Sequence, residues 1–71
     1  MKKQVLIKFG GKIREERLKQ GLSQEELAKI AGVHRTYIGM IERAEKNITL
    51  ENIEKLAKAL KINLSDIFNG F

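Results

Sequence analysis

Side chains that can recognise another molecule are concentrated in the middle of this 71-residue chain. Arg35 and Thr36 are adjacent there: an arginine fork can bond two acceptors of a guanine at once, and a threonine offers a hydroxyl and a methyl group. This chemistry suits the recognition of base edges if both side chains project from the leading end of one helix. Catalysis is not expected, because Ser23 and Ser65 stand where they would cap helices and no nucleophile, base and orienting acid coincide.

Bound metals and cofactors are not expected either, and no small-molecule ligand is evident. His34 is the only histidine and the chain contains no cysteine, so a metal would lack companion ligands. The apolar run Val5-Leu6-Ile7 ends at Lys8 and is too short for a signal peptide or a membrane span. These features predict a cytoplasmic protein with no membrane partner.

The positive charge lies at the beginning of the chain. Residues 1–22 contain seven Lys or Arg and two Glu, whereas residues 23–47 and 48–71 each sum to zero, which accounts for the net charge of +5. A basic stripe attracts phosphates, but lysines can equally keep an exposed helix soluble, so charge alone leaves both interpretations open. A chain of this length is one domain and buries only about 60% of its unfolded surface, so dimerisation would add useful apolar burial.

Two short helices joined by a tight turn, at about residues 23–43, would position the recognition side chains. Ser23 and Glu26 have the spacing of a capping box, so the first helix of the pair is predicted to begin at Gln24. Gly32 ends this helix, because glycine accepts the positive φ that a helix exit commonly needs.

The second helix of the pair, predicted from about His34, separates two faces. At 100° per residue, Ile38 and Ile41 point to the same side and would meet the core. The opposite side carries Thr36, Gly39, Met40 and Arg43. One face is therefore core, and the other is free for a partner.

Three further helices are predicted around this pair. The first spans about residues 6–20 and is weakened by Gly10-Gly11. Thr49 caps the fourth helix. The apolar stripe of that helix consists of Leu50, Ile53, Leu56, Ala57 and Leu60. A last short helix follows, with Asn63 and Ser65 as alternative caps.

The unit at residues 23–43 resembles the helix-turn-helix of the Cro and repressor family, also called XRE-like. The matching positions in the unit are Ala28 between the helices, Gly32 in the turn, and Val33, Ile38 and Ile41 on the buried side. Outside the unit the matching positions are Ile13, Arg14, Arg17, Gly21-Leu22-Ser23-Gln24, and Leu56-Ala57 to Phe68. The resemblance implies an all-α fold, a compact five-helix domain of the lambda-repressor type that covers residues 1–71 and binds DNA.

Within that family, the chain is most similar to the controller proteins of restriction-modification systems. The runs that carry this likeness are Arg35-Thr36-Tyr37-Ile38, Ile41-Glu42-Arg43 and Asn47-Ile48-Thr49. The likeness implies a transcriptional regulator that binds a palindromic operator in double-stranded DNA as a homodimer and regulates its own gene and the endonuclease gene. The alternatives are an antitoxin or phage-type repressor, or a module that binds protein through the outward face of its second helix.

The helical wheel and the family resemblance together predict which residues contact DNA. The expected base readers are Arg35, Thr36, Tyr37, Gly39 and Met40. The expected phosphate contacts are Gln24, His34, Arg43, Lys46 and Asn47. Tyr37 could instead be a half-buried core residue. Asn47 could instead make the turn after the second helix, because Ala44 stands where relatives commonly carry glycine.

The resemblance also predicts contacts between elements. Arg17 is expected to pair with Glu42, either partly buried, which would fix the angle between two helices, or exposed, which would contribute little. Glu16 stands where relatives usually carry an apolar residue, so either that face is open or the first helix is rotated. The expected dimer interface consists of Leu64, Ile67 and Phe68, although the last two residues could cover the core of their own chain instead.

Overall fold

The computed structural model describes residues 3–71, so the first two residues of the predicted domain lie outside it. Its five α-helices are α1 (Gln4–Lys19), α2 (Gln24–Ala31), α3 (Arg35–Glu42), α4 (Leu50–Leu60) and α5 (Leu64–Ile67). Residues 3–71 contain no β-strand. The all-α, five-helix fold predicted from the sequence is confirmed. No helix in the described part of the chain is both long enough and apolar enough to cross a membrane.

Local hydrogen bonds explain where the helices begin and end. The Ser23 hydroxyl accepts from the Glu26 N–H at 3.0 Å, and the Glu26 carboxylate accepts from the Ser23 N–H at 2.8 Å. This predicted capping box starts α2, and Gly32 ends it with a φ of +74°. The Thr49 hydroxyl accepts from the Asn52 N–H at 3.1 Å and starts α4 in the same way.

Gly10 and Gly11 have different surroundings, although both lie within α1. A Cβ at Gly10 would overlap the Ile41 carbonyl oxygen and stand 3.1 Å from the Glu42 carbonyl oxygen, whereas Gly11 faces open space. The weak helix propensity at Gly10 therefore accompanies a close approach of α1 to the end of α3. The helix continues through both glycines.

The helices enclose one hydrophobic core. Its fully buried large side chains are Ile13, Leu27, Ile38, Leu56, Leu60 and Ile67. Leu50 was predicted to join the stripe of α4, but this prediction is wrong, because Leu50 opens the helix beyond the edge of the core and is 84% exposed. The rest of that predicted stripe is buried.

The dimer-interface prediction needs correction at Ile67. This side chain is fully buried among core residues of its own chain, because the short helix α5 closes the core with its inner side. Ile67 therefore cannot contact a second copy. Leu64 and Phe68, which are 47% and 37% exposed, stay in the predicted interface.

The turn after α3 is made by Ala44 itself. This residue is buried and adopts a φ of +59°, and the following residue, Glu45, donates its N–H to the Met40 carbonyl at 2.8 Å. The alternative in which Asn47 makes this turn in place of Ala44 is therefore wrong. Asn47 is exposed and stays a predicted phosphate contact.

The structure accommodates the charge of Glu16 without a rotation of α1. Its carboxylate lies 3.4 Å from the amines of both Lys12 and Lys19, one turn away on either side. The hydrogen bond that the Lys19 amine donates to Glu16, with a further contribution from Glu15, raises the pKa of Lys19 above its ordinary value. The charge that replaces an apolar residue here is thus satisfied within its own helix.

Candidate nucleic-acid interface

The helix α3 presents one side to the core and its leading end to solvent. Ile38 and Ile41 are buried, whereas Arg35 and Thr36 are exposed and Met40 is half-buried. The predicted separation of an apolar from a polar face is thus present. The exposed donors and acceptors stand at the N-terminal end, where a recognition helix contacts bases.

His34 begins α3 as its cap. The Nδ1 atom of its ring accepts from the Thr36 N–H at 3.1 Å. That nitrogen therefore carries no proton in this arrangement, and only Nε2 is left for the predicted phosphate contact.

Arg35 contacts a carboxylate on the neighbouring helix. Its Nη1 donates to Glu25 Oε2 at 2.7 Å, and both side chains are about two-thirds exposed, at 67% and 65%. An exposed pair of this kind contributes about 0–1 kcal/mol, so Arg35 can exchange it for another partner. Sequence reasoning missed Glu25, because no local pattern connects residues ten positions apart on separate helices.

Tyr37 is half-buried and joins α3 to α4. Its ring packs against the core, and its hydroxyl accepts from Asn52 Nδ2 at 2.9 Å. The Lys46 amine lies 5.9 Å from the centre of the ring, within range of a cation–π contact. The structure thus shows the half-buried alternative for Tyr37 and leaves the exposed Lys46 amine beside α3. Base reading by Tyr37 stays a prediction.

Arg17 and Glu42 form the ion pair expected from the resemblance, and it is buried. Arg17 donates to the carboxylate from Nε at 2.7 Å and from Nη2 at 3.0 Å, and the two side chains are only 9% and 3% exposed. Arg17 Nη1 also donates to the Leu22 carbonyl at 2.8 Å. The hydrogen bonds that Arg17 donates to Glu42 raise the pKa of Arg17 above its ordinary value, so the guanidinium stays charged.

The side chain of Gln24 contacts the buried carboxylate of Glu42. Its Nε2 donates to Glu42 Oε1 at 3.1 Å. A carboxylate can only accept, so the NH2 group of the Gln24 carboxamide must face Glu42 and the carbonyl oxygen must face away. One N–H of that group is used by Glu42, and the second can still donate. The phosphate contact predicted at Gln24 stays a prediction, and the backbone N–H at the N-terminus of α2 can contribute to it.

Gly39 was expected to bring DNA close to the backbone of α3, but it is buried. Arg43 Nη1 and the Gln24 carbonyl oxygen lie 3.0 Å and 3.4 Å from the point where a Cβ of Gly39 would stand. These two side chains cover the glycine. Direct base contact at Gly39 stays a prediction. Arg43 is itself about half exposed and donates through Nε to Glu45 at 3.0 Å.

An aromatic cluster lies on the other side of the chain, around α5. The rings of Phe9 and Phe68 stack with centres 5.9 Å apart, and Phe71 meets Phe68 edge-on at 5.2 Å. Phe71 is 45% exposed and the Lys8 amine lies 6.0 Å from the centre of its ring. The cluster extends the exposed apolar surface that Leu64 begins. Sequence reasoning had omitted Phe71 from it.

Comparison with known proteins establishes the family. A helix-turn-helix family model matches residues 13–67, which include the C-terminal part of α1 and all of the other helices. The chain belongs to this helix-turn-helix family. The family resemblance predicted from the sequence is thereby confirmed.

Similar members of the helix-turn-helix family are controller proteins. Over 70 residues the chain is 44% identical to control protein C.BamHI of Bacillus amyloliquefaciens, a match that covers 97% of this chain and 86% of the relative. The crystal structure of the restriction-modification controller protein C.AhdI from Aeromonas hydrophila superposes with a TM-score of 0.90 at 47% identity, covering 93% and 100% of the two chains.

A second similar structure contains DNA. The restriction-modification controller protein C.Esp1396I was solved as a tetramer in complex with its natural 35 base-pair operator. It superposes on this chain with a TM-score of 0.89 at 34% identity, and the match covers 94% of this chain and 88% of that one. The predicted likeness to controller proteins is confirmed as well.

Proposed function

We propose that this protein is a transcriptional regulator that binds double-stranded DNA with sequence specificity, as the controller protein of a restriction-modification system. The exposed leading end of α3, with Arg35 and Thr36 free of the core, is the observation that carries the proposal. A helix presented in this way fits the major groove, where base edges differ in their donors and acceptors. The likeness to control proteins, one of them solved with its operator, supports the same function.

The residues around α3 divide into two groups by what they can contact. Arg35, Thr36 and Met40 are the proposed base readers, because Arg35 is exposed at the leading end of α3, and Thr36 and Met40 lie on the side away from the buried isoleucines. The proposed phosphate contacts are Gln24, His34, Arg43, Lys46 and Asn47. Phosphate contacts set register and orientation, whereas base contacts specify sequence.

The proposed regulator works as a homodimer. The exposed surface of Leu64, Phe68 and Phe71 is apolar and aromatic, which suits an interface with a second copy. A two-fold dimer would bind a palindromic operator whose half-sites lie about one helical turn, or roughly 10 bp, apart. The resemblance to controller proteins implies that this operator lies upstream of the protein's own gene and that binding there also affects the endonuclease gene.

A selection of bound sequences from random duplex DNA tests this function. The expected result is a two-fold symmetric consensus, whose affinity exceeds that of random duplexes by about 10³-fold or more and falls as salt rises. Equal binding of selected and random duplexes at one salt concentration would contradict the proposal. A module that binds protein through the outward face of α3 would then be the better account of the fold.

A further inference from the structure

Gly39 creates a hollow on α3 that two polar side chains fill. The Arg43 guanidinium and the Gln24 carboxamide both lie against the position of its missing Cβ, at 3.0 Å and 3.4 Å. Glycine is a poor residue for the middle of a helix. At Gly39, side chains from α2 and from the end of α3 converge on the outward side.

The Gln24 side chain, which forms one wall of this hollow, is oriented by a buried carboxylate. Glu42, which is almost fully buried, accepts from Gln24 Nε2 at 3.1 Å while it holds Arg17 with its two oxygens. Gln24 must therefore direct its carbonyl oxygen away from Glu42. This oxygen lies 3.4 Å from the point where a Cβ of Gly39 would stand, on which Arg43 Nη1 also converges at 3.0 Å. A carbonyl oxygen is an acceptor and favours a guanidinium beside it.

The guanidinium of Arg43 is constrained on two of its three nitrogens. Nε donates to Glu45 at 3.0 Å, and Nη1 lies in the hollow. Nη2 is left as the nitrogen that can donate to a phosphate oxygen. An arginine held this way loses less conformational entropy on binding than one that extends freely into solvent.

We infer that Gly39 and Gln24 are positioning residues, which hold the guanidinium of Arg43 against α3 so that it meets a DNA phosphate. This inference rests on the proposed function and assigns Gly39 and Gln24 a role that acts through Arg43. A methyl group at position 39 would push the Arg43 guanidinium outward, which a flexible side chain can do without disturbing the helix. Binding should suffer while folding does not.

A mutant cycle on the full chain tests the inference. Gly39→Ala, Arg43→Ala and the double variant are measured with the selected duplex over a range of salt concentrations. Gly11→Ala serves as the matched control, because it makes the same change in a helix where the space is open. We expect Gly39→Ala to weaken DNA binding about three- to tenfold and to lower by about one the slope of log affinity against log salt concentration. In the Arg43→Ala background, Gly39→Ala should weaken binding no further.

Two results of the cycle would overturn the inference. An equal loss with and without Arg43 would mean that the new methyl group obstructs the DNA directly. Unchanged affinity in Gly39→Ala would mean that the placement of Arg43 does not matter. Either result leaves the proposed function intact, whereas a wild-type protein that fails to prefer its selected duplex removes the function first.

Nuclear magnetic resonance without DNA tests the same contact independently. The Arg43 Nε–H and Gln24 side-chain amide signals should shift in Gly39→Ala and stay in place in Gly11→Ala. The thermal midpoint of Gly39→Ala should not fall below that of the wild type, because alanine is the better helix former. Unshifted signals, or a clearly lowered midpoint, would contradict the positioning role whatever the DNA measurements show.

Discussion

The Arg17 guanidinium donates two hydrogen bonds to the Glu42 carboxylate, and a third to the Leu22 carbonyl. The end of α1, the turn before α2 and the end of α3 therefore meet at one buried point. Because the same carboxylate also orients Gln24, this point connects the core to the outward side of α3. It fixes the angle at which α3 is presented.

Removing one member of this pair should destabilise the protein strongly. Arg17→Met leaves the Glu42 carboxylate buried without a cation, which should lower the free energy of unfolding by about 3–5 kcal/mol. Urea unfolding followed by circular dichroism measures the loss. Arg35→Ala is the control, because it breaks an exposed pair and should cost at most about 1 kcal/mol. Small and equal losses for the two variants would show that the buried pair does not hold the helices.

Glycine at the end of α4 should stabilise the protein. Lys61 is exposed and adopts a φ of +57°, where a residue with a Cβ is strained by about 1–2 kcal/mol. Lys61→Gly removes this strain at a smaller cost in backbone entropy, so the free energy of unfolding should rise by about 0.5–1 kcal/mol.

Ala44→Gly is the matched comparison for that change. Ala44 has a similar φ of +59°, but its methyl group is buried, and burial of one such group contributes about 0.8 kcal/mol. The gain from relieved strain should therefore be largely cancelled. Equal stabilisation by the two substitutions, measured by urea unfolding, would be evidence against this account.

The capping box of α2 should make stability depend on acid pH. Hydrogen bonds from Ser23 lower the pKa of Glu26 below its ordinary value. The stabilisation is therefore present above the ordinary carboxyl pKa, near 4.3, and is lost as the pH falls through the lower pKa of the folded state. Glu26→Gln should reduce this acid-side loss between about pH 5 and pH 2.

Urea midpoints measured across that range test the pH prediction. Glu51→Gln is a suitable control, because it removes a carboxylate from the first turn of α4, where the residue at the capping-box position is Asn52. If Glu26→Gln follows the wild-type curve while Glu51→Gln departs from it, the capping box is not the source of the dependence.

Patterns within ten residues predicted most of the fold. The Ser23 and Glu26 spacing, the Thr49 cap and the isoleucines of α3 all describe interactions inside one helix, so the sequence alone contained them. The candidate site was harder to predict, because the contacts of Gln24 and Gly39 are made between α2 and α3. The close approach of α1 at Gly10 and the turn at Ala44 likewise depend on tertiary packing, which overrides local propensity.

The dimer should depend on Phe68. Phe68→Asp places a charge in the exposed aromatic cluster beside Phe9 and Phe71, and should convert a wild-type dimer to monomers at roughly 10⁻⁵ M, a concentration far above the dissociation constants of specific DNA complexes. Analytical sedimentation measures the masses. Ile30→Asp, which places the same charge at a more exposed apolar position on α2, should remain dimeric.

Circular dichroism must show that the Phe68→Asp variant is folded, since Phe68 also packs on Phe9. A monomeric wild type at that concentration would contradict the proposed homodimer. A folded Phe68→Asp variant that stays dimeric would instead place the interface elsewhere on the chain.

The central claim is that α3 reads DNA sequence while its neighbours hold the backbone. It is tested most directly by measuring the affinities of the wild type, Arg35→Ala and Lys46→Ala for every single-base variant of the selected duplex at one salt concentration. Arg35→Ala should lose about 1–3 kcal/mol and its preference at one or two positions, whereas Lys46→Ala should weaken all duplexes alike. If both variants lower affinity uniformly across the set, α3 does not read the sequence through Arg35 and the account is contradicted.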